Sequence, residues 1–326
     1  MEAAELDALV ASLRQSPALA AKADIGLVAE RLGLASAAIP VGDDCAAIPD
    51  GDGHLLFAIE GFINAFVAAD PWFAGWCGVM VNISDIAAMG GRAFAVVDAV
   101  WADGEASAAA ILDGMKAASD AYGVPIVGGH TNLRTPAAQL AVAVVGRAGS
   151  RLLTSFDAQP GDALVAAIDH RGAYRKPLDN WQAALGAPRE RLRADLVLLP
   201  KVAERGLARA AKDISQGGIP GTAAMLAESS GVAIDIDLDA IELPAGVALE
   251  QWLKTFPSFG FLLSAPQTSL DATLDLFRGR DIHAGVIGEV RSGSEVAIVS
   301  NGRRAVLRDF RRDRLLGLSR VVEIAG

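Results

Sequence analysis

Cysteine is almost absent from this chain: Cys45 and Cys77 are the only two, far apart and without metal-ligand spacing. That excludes a disulfide framework and a cysteine-rich metal site, and two buried, inert thiols in a reduced compartment are expected. Basic charge is also in short supply. The formal net charge is -10 and the pI about 4.9, whereas proteins that track a nucleic-acid backbone carry a basic footprint. No nucleic-acid partner is expected. The one basic concentration, "RRAVLRDFRRDR" at 303–314, reads as a solvated helix or tail, with an anion-binding patch as the alternative. Long apolar runs are missing too. The charge-free stretch from Pro71 to Ser84 includes two glycines and an asparagine and is shorter than the roughly 20 residues a membrane span needs. The opening "MEAAELDALV" is acidic and lacks the basic and apolar blocks of a secretory leader. A cytoplasmic setting with no membrane partner is therefore expected.

What is present is a globular composition, 52% hydrophobic and 21% charged over 326 residues, a length that suggests about two domains. Leu6, Leu9, Val10 and Leu13 recur at helical spacing, and a second helical stretch follows Pro17 to about Gly33. These form an expected helical lead-in over 1–38. From Val41 the texture changes to strand-like runs: "LLFAI" at 55–59, "AFAVVDAV" at 93–100, "PIVGG" at 125–129 and "LAVAVVGRA" at 140–148. Between them lie two helical stretches, one around 79–93 and one at 105–123 whose terminal glycine fits a C-cap. The turn-like "AQPGDA" at 158–163 opens a second series. It comprises "ALVAAI", a long helical region over about 177–211, "VAIDIDL", "GFLLSA", a helix near 268–279, "AGVIGEV" and "EVAIVS". Domains at 39–150 and 151–326 are expected, with α+β character. No short-period repeat is visible.

Four segments carry candidate chemistry. In "VGDDCAAI" at 41–48, Asp43 and Asp44 place like charges side by side; the segment is either a solvated turn or a cation site. "VMVNISDIAAMGGRA" at 79–93 has no polar face when wound as a helix, so it reads as buried. Its Asp85 must then be paired, with Arg92 as one candidate, be protonated, cap a neighbouring element, or bind a cation; Asn82 lies three residues before it, within reach of the same point. "IVGGHT" at 126–131 is a strand-ending turn. Gly128 and Gly129 either serve the turn alone or let backbone N–H groups approach phosphate, with His130 and Thr131 alongside. In "KDISQGGIPGTAAMLAESSGVAIDIDL", Asp213 precedes Gly217 and Gly218, which open a helix, either as a simple cap or as an anion site. Neither a P-loop nor a dinucleotide fingerprint is present.

The order and spacing of these segments resemble the aminoimidazole ribonucleotide synthetase-like superfamily of ATP-using enzymes. "GDDCAAI" resembles the Gly-Asp-Asp-Ala-Ala segment of thiamine-monophosphate kinases, and "GWCGVMVNISDIAAMGG" their Ala-Val-Asn-Leu-Ser-Asp-Ile-Ala-Ala-Met-Gly-Ala. "VGGHT" is nearer selenophosphate synthetases. "DISQGG", "AESSGVAIDIDL", "TFPSFGFLLSAP" and "HAGVIGEV" match the second half of the superfamily. The resemblance covers about residues 40–300.

It implies an N-terminal domain whose strands form a barrel across a homodimer, a C-terminal α/β sandwich domain, and ATP with Mg²⁺ as cofactors. Asp43 or Asp44 and Asp85 would then ligate the metal. Asn82 would position the nucleotide, and Gly128, Gly129 and Thr131 would shape the phosphate pocket with Gly217 and Gly218. Asp85, Asp213 and His130 would be catalytic. The substrate would be a small polar metabolite, phosphorylated or activated. Arg171, Arg175 and Lys176 of the 169–181 loop either contact an anionic substrate or are solvated. Two departures stand out: Leu56 occupies a position where the kinases carry Asp, and Gln216 replaces a second Asp. They leave open a non-catalytic, nucleotide-binding dimer serving as a maturation or scaffold protein, and also a purely structural dimer.

Overall fold

The computed structural model describes residues 1–34, 39–176 and 180–317. In chain order come helices α1 (Ala3–Arg14), α2 (Pro17–Ala20) and α3 (Ala23–Arg31), strands β1 (Ala46–Asp50) and β2 (Gly53–Gly61), and helices α4 (Asn64–Ala69) and α5 (Pro71–Ala88). Strand β3 (Arg92–Asp103), helix α6 (Gly104–Tyr122) and strands β4 (Ile126–Asn132) and β5 (Arg134–Ala148) follow. Next are β6 (Ala163–Ile168), β7 (Ala173–Tyr174), β8 (Asn180–Gln182), α7 (Arg189–Leu196), α8 (Leu198–Arg205), β9 (Ala210–Asp213), α9 (Gly218–Ser230) and β10 (Ala233–Asp237). The last are α10 (Leu249–Leu253), β11 (Phe256–Pro257), β12 (Gly260–Ala265), α11 (Leu270–Arg278), β13 (His283–Arg291), β14 (Glu295–Ser300) and β15 (Arg303–Asp309). The class is mixed α+β, and the chain divides into two compact units, one of them residues 44–152 with 186–204 and the other residues 1–43, 153–185 and 205–326.

The unit built on residues 44–152 is a five-stranded sheet in the order β1-β2-β5-β3-β4, antiparallel except for the β3–β4 pair. Side chains alternate across its faces with period two. Leu56, Ala58, Val96, Val100, Val142 and Val144 are buried on the side covered by α5. That helix is apolar all round and buried along almost its whole length. Three glycines set how closely it packs. A Cβ on Gly75 would lie 2.0 Å from Ile111 O of α6, one on Gly114 of α6 would lie 1.9 Å from Trp72 O, and one on Gly78 would meet Val142 Cγ2 at 2.8 Å. Helix α6 ends at Gly123 in the left-handed conformation (φ 76°), as expected of a C-cap. Arg193 of α7 donates to Asp120 O and Ala121 O at the same end, a cation placed where the helix carbonyls are unsatisfied. This explains why 186–204 belongs with this unit.

The other unit holds a seven-stranded sheet, β15-β14-β10-β13-β6-β12-β9, and a small three-stranded sheet, β11-β8-β7. Its core joins α1, α9 and α10 to one face of the large sheet through residues such as Leu9, Leu13, Leu164, Ile234, Leu226 and Trp252. The amino-terminal helices are thus part of this unit rather than a separate lead-in: Leu6, Leu9, Val10 and Leu13 are buried in its core, and Arg14 donates to Leu307 O and Val306 O. Buried Glu228 accepts backbone N–H bonds from Leu315, Leu316 and Gly317.

Two expectations are corrected. The basic run at 303–314 is not a solvated helix or tail through its first half, because Arg303–Asp309 forms β15, antiparallel to β14. Asn301 and Gly302, both at positive φ (49° and 73°), make the Asn-Gly turn that favours a hairpin, and Arg304 is held by Asp235 and Glu295. The helical region over 177–211 is broken into β8, α7, α8 and β9. Pro200 has no N–H to offer Leu196 O, so α7 cannot continue. Residues 35–38, at the lead-in's end, 177–179, within the 169–181 loop, and 318–326 lie outside the described residues. Among the described residues no helix is long and apolar enough to cross a membrane.

Replacing Gly114 by Ala forces α5 and α6 apart and is expected to cost about 2 kcal/mol or more, read as a lower urea midpoint with an unchanged slope.

Candidate functional site

In the five-stranded unit, the sequence's adjacent carboxylates separate into different roles. Asp44 stands just before β1, and Asp85 lies near the C-terminal end of α5, only 7% exposed. Carboxylate oxygens of the two come within 4.8 Å of each other. Two unit charges at that distance repel by roughly 3 kcal/mol at an effective dielectric of about 20, so a cation or hydrogen-bond donors must offset them. Oxygen-only donors of this kind suit a hard divalent ion such as Mg²⁺. Arg92, a candidate ion partner for Asp85, is instead engaged by Glu204 at 2.6 Å on the surface. Asn82, one turn before Asp85, is fully buried. Its Nδ2 donates to Gly78 O at 2.8 Å, and its Oδ1 is buried with no hydrogen-bond partner. An orphaned buried acceptor is costly, by about 1–3 kcal/mol, and marks this stretch of α5 as shaped by more than packing.

The Gly-Gly-His-Thr segment is not a loop beyond a strand. It lies within β4, an exposed edge strand. Gly128 pairs with Val97 and His130 with Ala99, and the His130 ring sits 6.1 Å from that of Trp101. Gly129 has a steric reason of its own: a Cβ there would come within 2.6 Å of Asp98 Oδ2 and of Asp98 O. Asp98 itself was missed by sequence reasoning, although an aspartate inside "AVVDAV" breaks an apolar strand. It shares a row with Val142 and Glu60, and burial raises its pKa above the ordinary 3.8.

In the seven-stranded unit, Asp43 is directed to Ser155: its two oxygens accept from Ser155 N at 3.0 Å and Ser155 Oγ at 2.7 Å. This ties Asp43 to the chain leading into β6 and leaves Asp44 as the carboxylate beside Asp85. Asp213 ends β9 and is 6% exposed, with its carbonyl accepting from Thr222 Oγ1. Gly217 caps α9 and Gly218 opens it at φ 62°. A Cβ on Gly218 would stand 2.0 Å from Leu253 O, so close packing of the start of α9 on α10 requires this glycine. Gln216 is exposed, whereas Leu56 of the five-stranded unit is fully buried on the sheet face that the unit's own α5 covers.

Residues 42–148 match the family described as AIR synthase related protein, N-terminal domain, and residues 175–301 match AIR synthase related protein, C-terminal domain. The chain belongs to this family. An uncharacterized protein of Synechocystis is 44% identical over 95% of this chain and 98% of its own length. A thiamine-monophosphate kinase of Pyrococcus horikoshii is 33% identical over 62% of this chain and 67% of its own. Among solved structures, Thermotoga maritima PurL complexed with AMPPCP has a TM-score of 0.75 at 18% identity, covering 95% of this chain. That likeness is one of fold, and this chain spans about half of the PurL chain, 51%.

The raised pKa of Asp98 has a definite sign. The folded state holds the proton more tightly than the unfolded state, so the stability Asp98 allows at low pH is lost as pH rises through its folded pKa. Asp98→Asn is expected to raise the melting temperature at pH 7 by about a degree or two, with the gain shrinking toward zero below pH 4 in thermal scans.

Proposed function

We propose that the chain is a Mg-ATP-dependent enzyme that phosphorylates a small polar metabolite, or activates it as a phosphorylated intermediate. The observation that carries this reading is the Asp44–Asp85 carboxylate pair on a domain of the AIR synthase related family. Asp44 and Asp85 would hold a Mg²⁺, whose charge would offset that of a triphosphate these carboxylates would otherwise repel. The chain's own part is positional, since phosphoryl transfer depends mainly on alignment and charge neutralisation. Asp44 and Asp85 hold the metal, and Asn82 orders the helix turn that presents Asp85. Gly128, Gly129 and Thr131 shape the phosphate side, with His130 beside them. Asp213, Gly217 and Gly218, in the seven-stranded unit, are proposed as functional residues on the family relationship alone. Support for the nucleotide comes from PurL having been solved with AMPPCP and from a relative being a thiamine-monophosphate kinase.

Leu56 favours a second reading, a non-catalytic nucleotide-binding dimer, because a fully buried leucine stands where the kinases carry a carboxylate. Substrate-stimulated release of ADP across a metabolite panel separates the two.

A homodimer is part of the proposal. Ile48, Phe57, Ile59 and Val97 are exposed on the sheet face opposite α5, in cross-strand register through Val145 and Ala143. A contiguous apolar sheet face of this kind is a signature of an interaction surface, and pairing it with a second copy gives the dimer-spanning barrel.

Isothermal titration calorimetry with AMPPCP should show Mg-dependent binding, weakened at least about tenfold in Asp85→Asn and Asp44→Asn, a loss of about 1.4 kcal/mol. Absence of Mg-dependent binding to the wild type would sink the reading. Light scattering should find a dimer that Phe57→Asp/Ile59→Asp converts to a monomer of unchanged circular dichroism.

A further inference from the structure

Two of the four histidines meet at one end of the seven-stranded sheet. His170 follows β6 and His283 begins β13, where it pairs with Ile168. Their rings stack with centroids 4.4 Å apart and planes 19° from parallel. The stack continues into a run of aromatic contacts: His170 to Trp252 at 5.1 Å, Trp252 to Trp181 at 5.4 Å, and Trp181 to Tyr174 at 5.2 Å, each edge to face. Trp181 lies on β8 and Tyr174 on β7, so the run ends on the small three-stranded sheet. Among the described residues that sheet is small, with short ladders. β7 and β8 share two register pairs, and β8 and β11 share two more. Main-chain bonds from Arg175 N to Asn180 O and from Ser258 N to Trp181 O add to these, as do Trp181 Nε1 donating to Asp169 O, the Tyr174 Oη–Thr255 Oγ1 contact at 2.6 Å, and Ser258 Oγ accepting from Ala183 N. So small a sheet depends on side-chain packing for its order, and here that packing runs back to the histidine stack.

We propose that the stacked His170–His283 pair is an acid-sensitive clamp that holds the small β7–β8–β11 sheet in place while both rings are neutral and releases it when they take up protons.

The charges facing the pair support this. His170 Nε2 is buried with no hydrogen-bond partner, so a proton there has no acceptor to receive it. The adjacent Asp169 has its carboxylate turned to Arg171, whose Nε lies 2.8 Å and Nη2 3.2 Å away, and whose backbone N–H also donates to it. Its charge is therefore largely spent on Arg171. On the other ring, Glu242 reaches His283 Nδ1 at 3.4 Å but is itself exposed, and Arg278, on α11, opposes a charge on that ring. Burial, and then the charge of His283, hold His170 down to about 4 against the opposing pull of Asp169. Burial also lowers His283, opposed by Glu242 and reinforced by Arg278.

The direction of the effect follows. Once the sheet loosens, each ring returns to water and to an ordinary pKa near 6.5, so below that pH the loosened form binds more protons than the clamped one. The clamp is at full strength above about pH 6.5 and weakens as pH falls toward 4.

Hydrogen exchange on the full-length protein, corrected for the intrinsic pH dependence of exchange, tests it without any substrate. Protection of peptides covering 173–176, 180–183 and 256–258 should fall at least tenfold between pH 7 and pH 4.5, while a peptide from β5, Leu140–Ala148, keeps its protection. His170→Phe keeps a ring in the stack but cannot take a proton, and should retain most of the protection at pH 4.5; His283→Phe should do so in part. Unchanged protection in the wild type, an equal loss in His170→Phe, or a simultaneous loss in β5 would each overturn the clamp.

Discussion

The burial of α5 is the constraint on which the five-stranded unit depends. A helix with apolar side chains on every face has nowhere to go but inside, and here it is enclosed by α6 on one side and by β2, β3 and β5 on another. The glycines at 75, 78 and 114 set the depth of that enclosure, because a single methyl at any of them would fall within 3 Å of a neighbour. Once the helix is fixed so closely, the two polar side chains it cannot avoid burying, Asn82 and Asp85, are fixed with it. Proteins rarely keep such groups in a core without a compensating use. The nearness of Asp44 to Asp85 is the geometry on which the proposed metal site rests.

The seven-stranded unit solves a different problem. Its sheet is faced by α1, α9 and α10, and its periphery is secured by polar anchors rather than by further core. Arg14 grips the backbone of β15, Glu228 gathers the amides of 315–317, and Asp235 takes Arg291 and Arg304. The same logic places Asp43 on Ser155. Adjacent carboxylates, indistinguishable along the chain, thereby part company: Asp43 is tied to Ser155 in the segment leading into β6, and its neighbour lies beside Asp85.

Much of this was legible beforehand. The runs at 55–59, 93–100, 140–148 and 260–265 became strands because alternation and β-branched content act over a few residues. Helix α6 ended at Gly123 because a left-handed cap is a local requirement. The failures have local causes too. The basic run at 303–314 hides a strand because its charge masks the alternation that follows the Asn301-Gly302 turn, and Pro200 interrupts a region whose periodicity reads as one continuous helix. His130 and Gly129 were placed in a turn, whereas β4 runs straight through them, since parallel pairing to β3 supplies hydrogen bonds that only the assembled sheet can offer.

By itself the sequence determined the family, through the order and spacing of its motifs, and the alternation of elements and the burial of the helix that carries Asp85, through patterns written within a dozen residues. Only the tertiary structure decided that Asp44 rather than Asp43 approaches Asp85, that Asp98 lies against Gly129, and that His170 stacks on His283. Each of these is a meeting of side chains far apart in the chain or aimed by backbone geometry, and their distances are set by sheet register and helix depth, which no local pattern encodes.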